Sequence, residues 1–180
     1  IEGEVYVVAE ELLSKLIFEW DIKKHKVLGS CLGKKLEEVI CRHPFIDRDS
    51  RVVLGEHVTL EQGTGCVHTA PGHGQEDYIV GQKYNRETYN PVDDGGVFKP
   101  EVSDFGGLFV RKANPLIVEK LRDSGYLVHD NKVNHSYPHC WRCHQPIIFR
   151  ATSQWFISMD TNGLRDKALK AIREIEWIPR

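Results

Sequence analysis

No stretch of the sequence restricts the fold as strongly as GTGCVHTAPGHGQEDY, from Gly63 to Tyr78. It combines a short β-branched stretch with a turn and a helix-forming run, and its glycines let the backbone adopt positive φ and approach a ligand closely. These glycines are Gly63, Gly65, Gly72 and Gly74. The alternation of a strand directs Cys66 and His68 to one face and Val67 and Thr69 to the other. The segment therefore predicts a site in which His68 points into a cavity.

Asp77 follows in the first turn of the predicted helix, where backbone amides and the helix dipole stabilise a carboxylate. A fixed carboxylate beside a small pocket suits the α-ammonium group of an amino acid, since a buried cation needs a hydrogen-bonded anion. Asp77 as a simple helix-start acid and His68 as a structural histidine stay open as alternatives on the residues alone. For Cys66, a small buried hydrophobe is favoured over a nucleophile.

The composition limits which classes of protein need to be considered. With 28% charged and 41% hydrophobic residues in 180, the chain has the balance of a globular domain, and no apolar run approaches the roughly 20 residues of a membrane span. A secretory signal is not recognisable, so we expect a cytoplasmic protein without a membrane partner. The net charge of −2 predicts that any RNA contact is local.

Periodicity and turn signals predict an α+β fold: a strand-rich, barrel-like core with helices around it. β-branched segments between turn residues predict strands, and apolar residues at helical spacing or capping residues predict helices. The predicted strands are Glu4 to Ala9, RVVLG, HVTL, CVHT, QPIIFRA and QWFIS, with a hairpin at PVDDGGVF. The predicted helices are ELLSKLI, Gln75 to Tyr84, Pro115 to Ser124 (capped by Asn114 and followed by Gly125) and Leu164 to Ile175.

Two long motifs make the sequence recognisable. GTGCVHTAPGHGQEDY resembles the signature of the editing domain, the first connective peptide, of the class I isoleucyl-, valyl- and leucyl-tRNA synthetases, and its HTAPGHG centre is similar to the bacterial-type isoleucyl branch. HSYPHCWRC and PIIFRATSQWF resemble the return of the same insertion towards the synthetic body. The resemblance covers nearly the whole chain. It implies an editing-domain body in residues 1–133 and a return segment in residues 134–180.

The resemblance implies post-transfer editing, the hydrolysis of valine wrongly esterified to isoleucine tRNA. Asp77 is then expected to hold the ammonium group and His68 to line the pocket and exclude isoleucine by size. The other expected substrate-binding residues are Gly65 and Thr69, with His73 as a further candidate for the pocket wall. A positioned water attacks the ester, and no protein nucleophile or editing cofactor is expected.

The expected partners are the valine-carrying 3′ end of isoleucine tRNA and the remainder of the synthetase chain, in a monomer. The family pocket also contains a threonine-rich segment upstream of the glycine motif, and nothing like it precedes Gly63. The chain is therefore expected to be a fragment cut inside the domain. Aminoacylation and ATP binding are expected in the parent protein.

Cys140 and Cys143 in CWRC have the spacing that lets two thiolates bind one metal ion. One pair supplies half of a tetrahedral site, and the nearby His135, His139 and His144 do not settle the other half. The resemblance implies a structural zinc site completed by a second pair upstream in the intact protein. From the residues alone, two free thiols in a turn are an equal alternative.

Two other functions remain open from the residues. A metal-dependent hydrolase is one, because His68, His73 and Asp77 are ligand types found at catalytic zinc; a Cys66–His68 nucleophilic pair is a weaker variant of it. A non-catalytic module that binds tRNA ends is the other, although a basic stripe and a stacking platform are missing. These alternatives differ in whether metal is needed and whether the attached amino acid is distinguished.

Overall fold

The computed structural model describes residues 3–178, and the predicted helices are largely confirmed in it. The α-helices are α1 (Leu13–Glu19), α2 (Gln75–Lys83), α3 (Val110–Asp123) and α4 (Leu164–Glu174). Short 3₁₀ turns lie at Glu10–Leu12, Gly33–Leu36 and Thr161–Gly163. Apart from α3, each helix begins within three residues of its predicted start, because apolar spacing and first-turn acids are local signals.

Helix α3 begins five residues earlier than predicted, so Pro115 lies inside it rather than in its first turn. The start is set by a contact that is distant in sequence: the Val110 N–H donates to the Gly96 carbonyl at 3.0 Å. A proline inside a helix removes one backbone hydrogen bond, which is a local cost. The end of α3 is as predicted, with Gly125 in the left-handed region at φ +74°.

The described residues contain one two-stranded antiparallel sheet, formed by β1 (Ile40–Arg42) and β2 (Asp49–Arg51), with Ile40 opposite Arg51. The α+β class is confirmed, but residues 3–178 form no closed barrel. The predicted hairpin at PVDDGGVF is an isolated bridge between Val92 and Phe98.

Most of the other predicted strands are wrong, because the extended segments make single backbone hydrogen bonds instead of ladders. The N-terminal segment contacts the glycine motif through the Ala9 N–H and the Thr64 carbonyl, 2.8 Å apart. The segment QPIIFRA does so through the Ala151 N–H and the Gly72 carbonyl, 2.7 Å apart. The glycine motif is thus bordered by chain from both ends of the sequence.

The core of the described region is small. Its buried apolar residues are Leu12, Leu16, Val80, Val92, Phe105 and Ala113. The accessible surface is 15347 Å², whereas a compact monomer of this length exposes about 9,000 Å². Much apolar surface is therefore left uncovered within the chain. No helix in residues 3–178 is both long and apolar enough to cross a membrane.

Candidate functional site

The turn that precedes α2 is closed by its own backbone. The N–H groups of His73 and Gly74 both donate to the Ala70 carbonyl, at 2.8 and 3.2 Å. Gly72 is buried in this turn, and a Cβ placed on it would lie 2.2 Å from the Tyr89 carbonyl oxygen. Glycine is thus required at position 72 by the close approach of another backbone segment, and φ there is not positive.

Asp77, the third residue of α2, turns its carboxylate back onto this turn. Its Oδ2 accepts the Ala70 N–H at 3.1 Å, and a Cβ on Gly74 would lie 2.5 Å from the same oxygen. The side chain is about one-fifth exposed. The carboxylate is therefore oriented by the backbone and retains contact with solvent.

The second oxygen of Asp77 faces a residue that the sequence analysis missed. Oδ1 lies 3.7 Å from Nε2 of His57, whose side chain is about one-quarter exposed. Nε2 itself is buried and has no hydrogen-bond partner among the described residues. His57 precedes Asp77 by 20 residues and belongs to no recognisable spacing, so the sequence carried no signal for this pairing.

His68 and its neighbours are more open than the predicted strand requires. His68, Cys66 and Val67 are exposed and Thr69 is half-buried, so the expectation that Cys66 is a buried hydrophobe is wrong. These side chains are exposed because the extended segment has no strand partner and so does not form a sheet with one face packed on the core. The Cys66 sulfur lies 3.9 Å from the Val7 carbonyl oxygen.

A second unpredicted histidine lies near His68. The pKa of His43 is lowered, first by burial, then by the charge of Arg48 and then by that of His68. Nδ1 of His43 accepts the Ile46 N–H at 3.1 Å, so the ring is held on that side. His68 therefore shares its surroundings with His43, which no sequence spacing indicates.

Gly65 lies in the left-handed region at φ +81°, where the sequence pattern expected positive φ. A Cβ on it would lie 2.5 Å from the Cβ of Ala9. The N-terminal segment therefore covers this position, and the substitution of Gly65 by any larger residue conflicts with both backbone conformation and space.

His73 joins the turn to the return segment. Its Nδ1 lies 2.9 Å from the Phe149 carbonyl oxygen, so Nδ1 carries the proton of that hydrogen bond. Asn90 strengthens the same junction, since its Nδ2 donates to the Ala151 carbonyl at 2.9 Å. One nitrogen of His73 is thus engaged in holding two parts of the chain together.

The two cysteines of CWRC lie in a tight turn. The Cys140 N–H donates to the Gln145 carbonyl and the His144 N–H to the Cys140 carbonyl, both at 2.8 Å. The pKa of the Cys140 thiol is lowered by the backbone N–H of Cys143, then that of Arg142, and then the Cys143 thiol. Donors around the sulfur favour the thiolate form that binds metals.

Two thiols supply only half of a tetrahedral zinc site. Within residues 3–178, no three His, Cys, Asp or Glu side chains come together in a group that could hold one metal ion. This applies equally to the set His68, His73 and Asp77 that a metal-dependent hydrolase would need.

The sequence is similar to part of the isoleucine–tRNA ligases. The matching relatives are isoleucine–tRNA ligases: 55% identical in Desulfovibrio desulfuricans over 99% of this chain, and 52% in Syntrophotalea carbinolica over 98%. The ligase of Petrotoga mobilis is 48% identical over the whole chain. The chain spans about one fifth of the length of these relatives. No protein-family model matches it.

Proposed function

We propose that this chain carries the post-transfer editing activity of an isoleucine–tRNA ligase, the hydrolysis of valine from wrongly charged isoleucine tRNA. One observation carries the proposal: the Asp77 carboxylate is held by the Ala70 N–H at the start of α2 while about one fifth of its side chain stays exposed. Homology to isoleucine–tRNA ligases over nearly the whole chain supplies the context.

Asp77 is suited to bind the α-ammonium group of the attached valine. The carboxylate accepts one N–H and remains one-fifth exposed, so a cationic group can reach it. An ammonium group bound there is paired with an anion that is itself hydrogen-bonded, which offsets the cost of removing the cation from water. An ammonium group bound at this position fixes the ester relative to the turn. Hydrolysis is then faster because the ester no longer has to find its reactive orientation.

Discrimination between valine and isoleucine needs a second site. A single methylene changes the binding free energy in an apolar site only modestly. The discrimination of valine from isoleucine by isoleucine–tRNA ligase is itself the standard example of this small difference. In the proposed site His68 restricts the pocket by size, and Gly65 and Thr69 complete the substrate-binding surface. His73 is a weaker candidate for the wall, because its Nδ1 is engaged with Phe149.

The proposed reaction uses water as the nucleophile. The water oxygen bonds to the ester carbonyl carbon, the bond to the ribose oxygen breaks, and the proton of the water ends on that ribose oxygen, giving valine and uncharged tRNA. Orientation and charge stabilisation account for the catalysis of an activated ester. Cys66 is exposed, and its thiol contacts the Val7 carbonyl oxygen, which is not a base that could activate a nucleophile.

The remainder of the ligase chain is the proposed partner of the exposed apolar surface. The chain corresponds to about one fifth of its relatives, and its accessible surface far exceeds that of a compact protein. With a net charge of −2, contact with tRNA is proposed to be limited to the 3′ end. A structural zinc ion at Cys140 and Cys143 is proposed only for a protein that supplies the other two ligands.

The test is release of amino acid from isoleucine tRNA charged with valine or isoleucine. It uses this chain and a chimeric ligase in which the chain replaces the homologous segment of the Desulfovibrio desulfuricans enzyme. We expect selective valine release by the chimera, reduced to a small residual rate in Asp77→Ala and kept in the control Glu76→Ala, an exposed acid of the same helical turn.

Aminoacylation by each chimera shows that it is folded. Release of both amino acids at equal rates with Asp77→Ala unaffected, or release of neither by an aminoacylating chimera, contradicts the proposal. Release that needs added metal and is lost with a chelator would favour the hydrolase alternative. Binding of tRNA ends regardless of the attached amino acid, without release, would favour the non-catalytic module.

A further inference from the structure

The two carboxylate oxygens of Asp77 have different partners. Oδ2 accepts the Ala70 N–H at 3.1 Å, whereas Oδ1 faces Nε2 of His57 at 3.7 Å. That distance exceeds a direct hydrogen bond by less than 1 Å. Because Nε2 is buried and has no partner in the described part of the chain, a hydrogen bond to Oδ1 would satisfy an atom that is otherwise costly to bury.

The fold holds His57 at this position through α2 itself. The turn before His57 is attached to the far end of the helix, where the Leu54 N–H donates to the Tyr84 hydroxyl at 3.2 Å. The Tyr84 hydroxyl in turn donates to Glu37 at 2.6 Å. Helix α2 thus carries Asp77 in its first turn and, through Tyr84 at its C-terminal end, contacts the segment that precedes His57.

The ring of His57 is also packed against its own turn. A Cβ on Gly55 would lie 2.6 Å from Cε1 and 2.8 Å from Nδ1 of His57, so only glycine leaves room for the ring in this orientation. The Val58 N–H closes the turn on the Gly55 carbonyl at 3.3 Å. Glycine at position 55 therefore leaves room for the ring orientation in which Nε2 faces Asp77.

We propose that His57 is the positioning residue for Asp77: its Nε2–H donates to Oδ1 and sets the carboxylate plane that receives the substrate ammonium group. The inference rests on the proposed editing function and adds to it a residue that the sequence motif does not contain. The pairing is present in the free chain as a long contact of 3.7 Å and shortens when substrate binds, because catalytic hydrogen bonds are often long in free enzymes.

The activity test compares His57→Phe with His57→Gln in the chimeric ligase. Phe keeps a ring but removes the donor, while the Gln amide nitrogen can occupy the place of Nε2. We expect His57→Phe to lower valine release about 10- to 100-fold, the factor for one charge-assisted hydrogen bond, and His57→Gln to restore most of it. Aminoacylation by both variants should equal that of the parent chimera.

A double variant separates positioning from a general structural role. In an Asp77→Ala background, His57→Phe should cause no further loss, because the group that it orients is absent. A further loss of similar size in that background, or a His57→Gln variant as defective as His57→Phe, overturns the proposal.

The pairing can also be measured without activity, which separates its failure from that of the editing function. In this chain, ¹⁵N NMR of the imidazole nitrogens should show a proton on Nε2 of His57, with a resonance that shifts in Asp77→Asn, while the exposed His129 is unchanged. An unprotonated Nε2, or no shift in Asp77→Asn, overturns the pairing whatever the ligase assay gives.

Discussion

The turn from Ala70 to Gly74 (the glycine turn) with α2, and the C-terminal part of the return segment, differ in how far their side chains are buried within the chain. Around α2, segments distant in sequence converge: Val80 is buried, and a Cβ on Gly81 would lie 2.8 Å from Pro71. In the return segment, by contrast, Trp155 is fully exposed and Ile157 mostly so. The chain therefore determines the geometry of the proposed site by its own contacts, while its C-terminal part leaves large apolar side chains exposed.

Helix α4 shows the same contrast within one element. Its apolar side chains follow helical spacing, yet Leu169, Ile172 and the following Ile175 are each about half exposed. An amphipathic helix gains most of its stability by burying its apolar face. The proposed remainder of the ligase would supply that surface.

The largest predicted effect compares a buried and an exposed apolar residue. Leu16→Ala, at a position only 3% exposed, should lower the free energy of unfolding of this chain by about 2–5 kcal/mol. Trp155→Ala should change it by less than about 0.5 kcal/mol. Urea unfolding measures both. A Trp155→Ala loss equal to that of Leu16→Ala would show that the return segment is packed within the chain, and the contrast would fail.

A smaller loss is predicted at the glycine turn. Gly72→Ala places a methyl group 2.2 Å from the Tyr89 carbonyl, so it should destabilise the chain by about 1–3 kcal/mol through overpacking. Gly29→Ala is the control, since nothing lies within 4 Å of its Cβ, and it should be neutral or stabilise by up to about 1 kcal/mol. Equal urea midpoints for the two variants would mean that the turn is not tightly enclosed.

The junction between the two regions should respond to His73→Ala. Loss of the hydrogen bond to the Phe149 carbonyl should cost about 0.5–1.5 kcal/mol. Hydrogen exchange should speed up at the Ala151 amide, which donates to Gly72. His129→Ala, a substitution of an exposed histidine that follows α3, should leave the exchange of that amide unchanged. Unaltered exchange in His73→Ala would show that the junction is held without this histidine.

The smallest effect concerns the cysteine turn, which is ordered locally although the chain around it is open. Because the pKa of Cys140 is lowered, its thiolate persists to lower pH than that of an ordinary thiol, and protonation removes it only as the pH falls below the folded-state pKa. Near neutral pH, Cys140 should therefore react with iodoacetamide faster than it does in denaturant. Peptide mapping by mass spectrometry measures this, and equal rates in both states would contradict it.

Sequence reasoning worked best for local features. The starts of α1, α2 and α4, the left-handed Gly125 and the position of Asp77 in the first turn of α2 were predicted from spacing and capping. The resemblance is confirmed at the level of isoleucine–tRNA ligases. The roles of His68 and Asp77 in editing stay predictions.

It failed where two distant segments had to meet. The strands were predicted from composition, but a strand exists only when a partner backbone accepts its hydrogen bonds, and single bonds such as Ala9 to Thr64 do not make a ladder. The start of α3 was missed because a bond to Gly96 sets it. His57 was missed because no spacing connects it with Asp77.

By itself, the sequence determined the helical segments, the glycine turn and the carboxylate at the start of α2, because these depend on neighbouring residues and on the preferences of their own backbone. Only the tertiary structure decided which histidine faces Asp77, why residue 72 has to be glycine, and which apolar residues stay uncovered. Those outcomes depend on approaches of 2 to 4 Å between residues 17 to 20 positions apart, such as Gly72 with Tyr89 and His57 with Asp77. A local sequence pattern carries no information about such contacts.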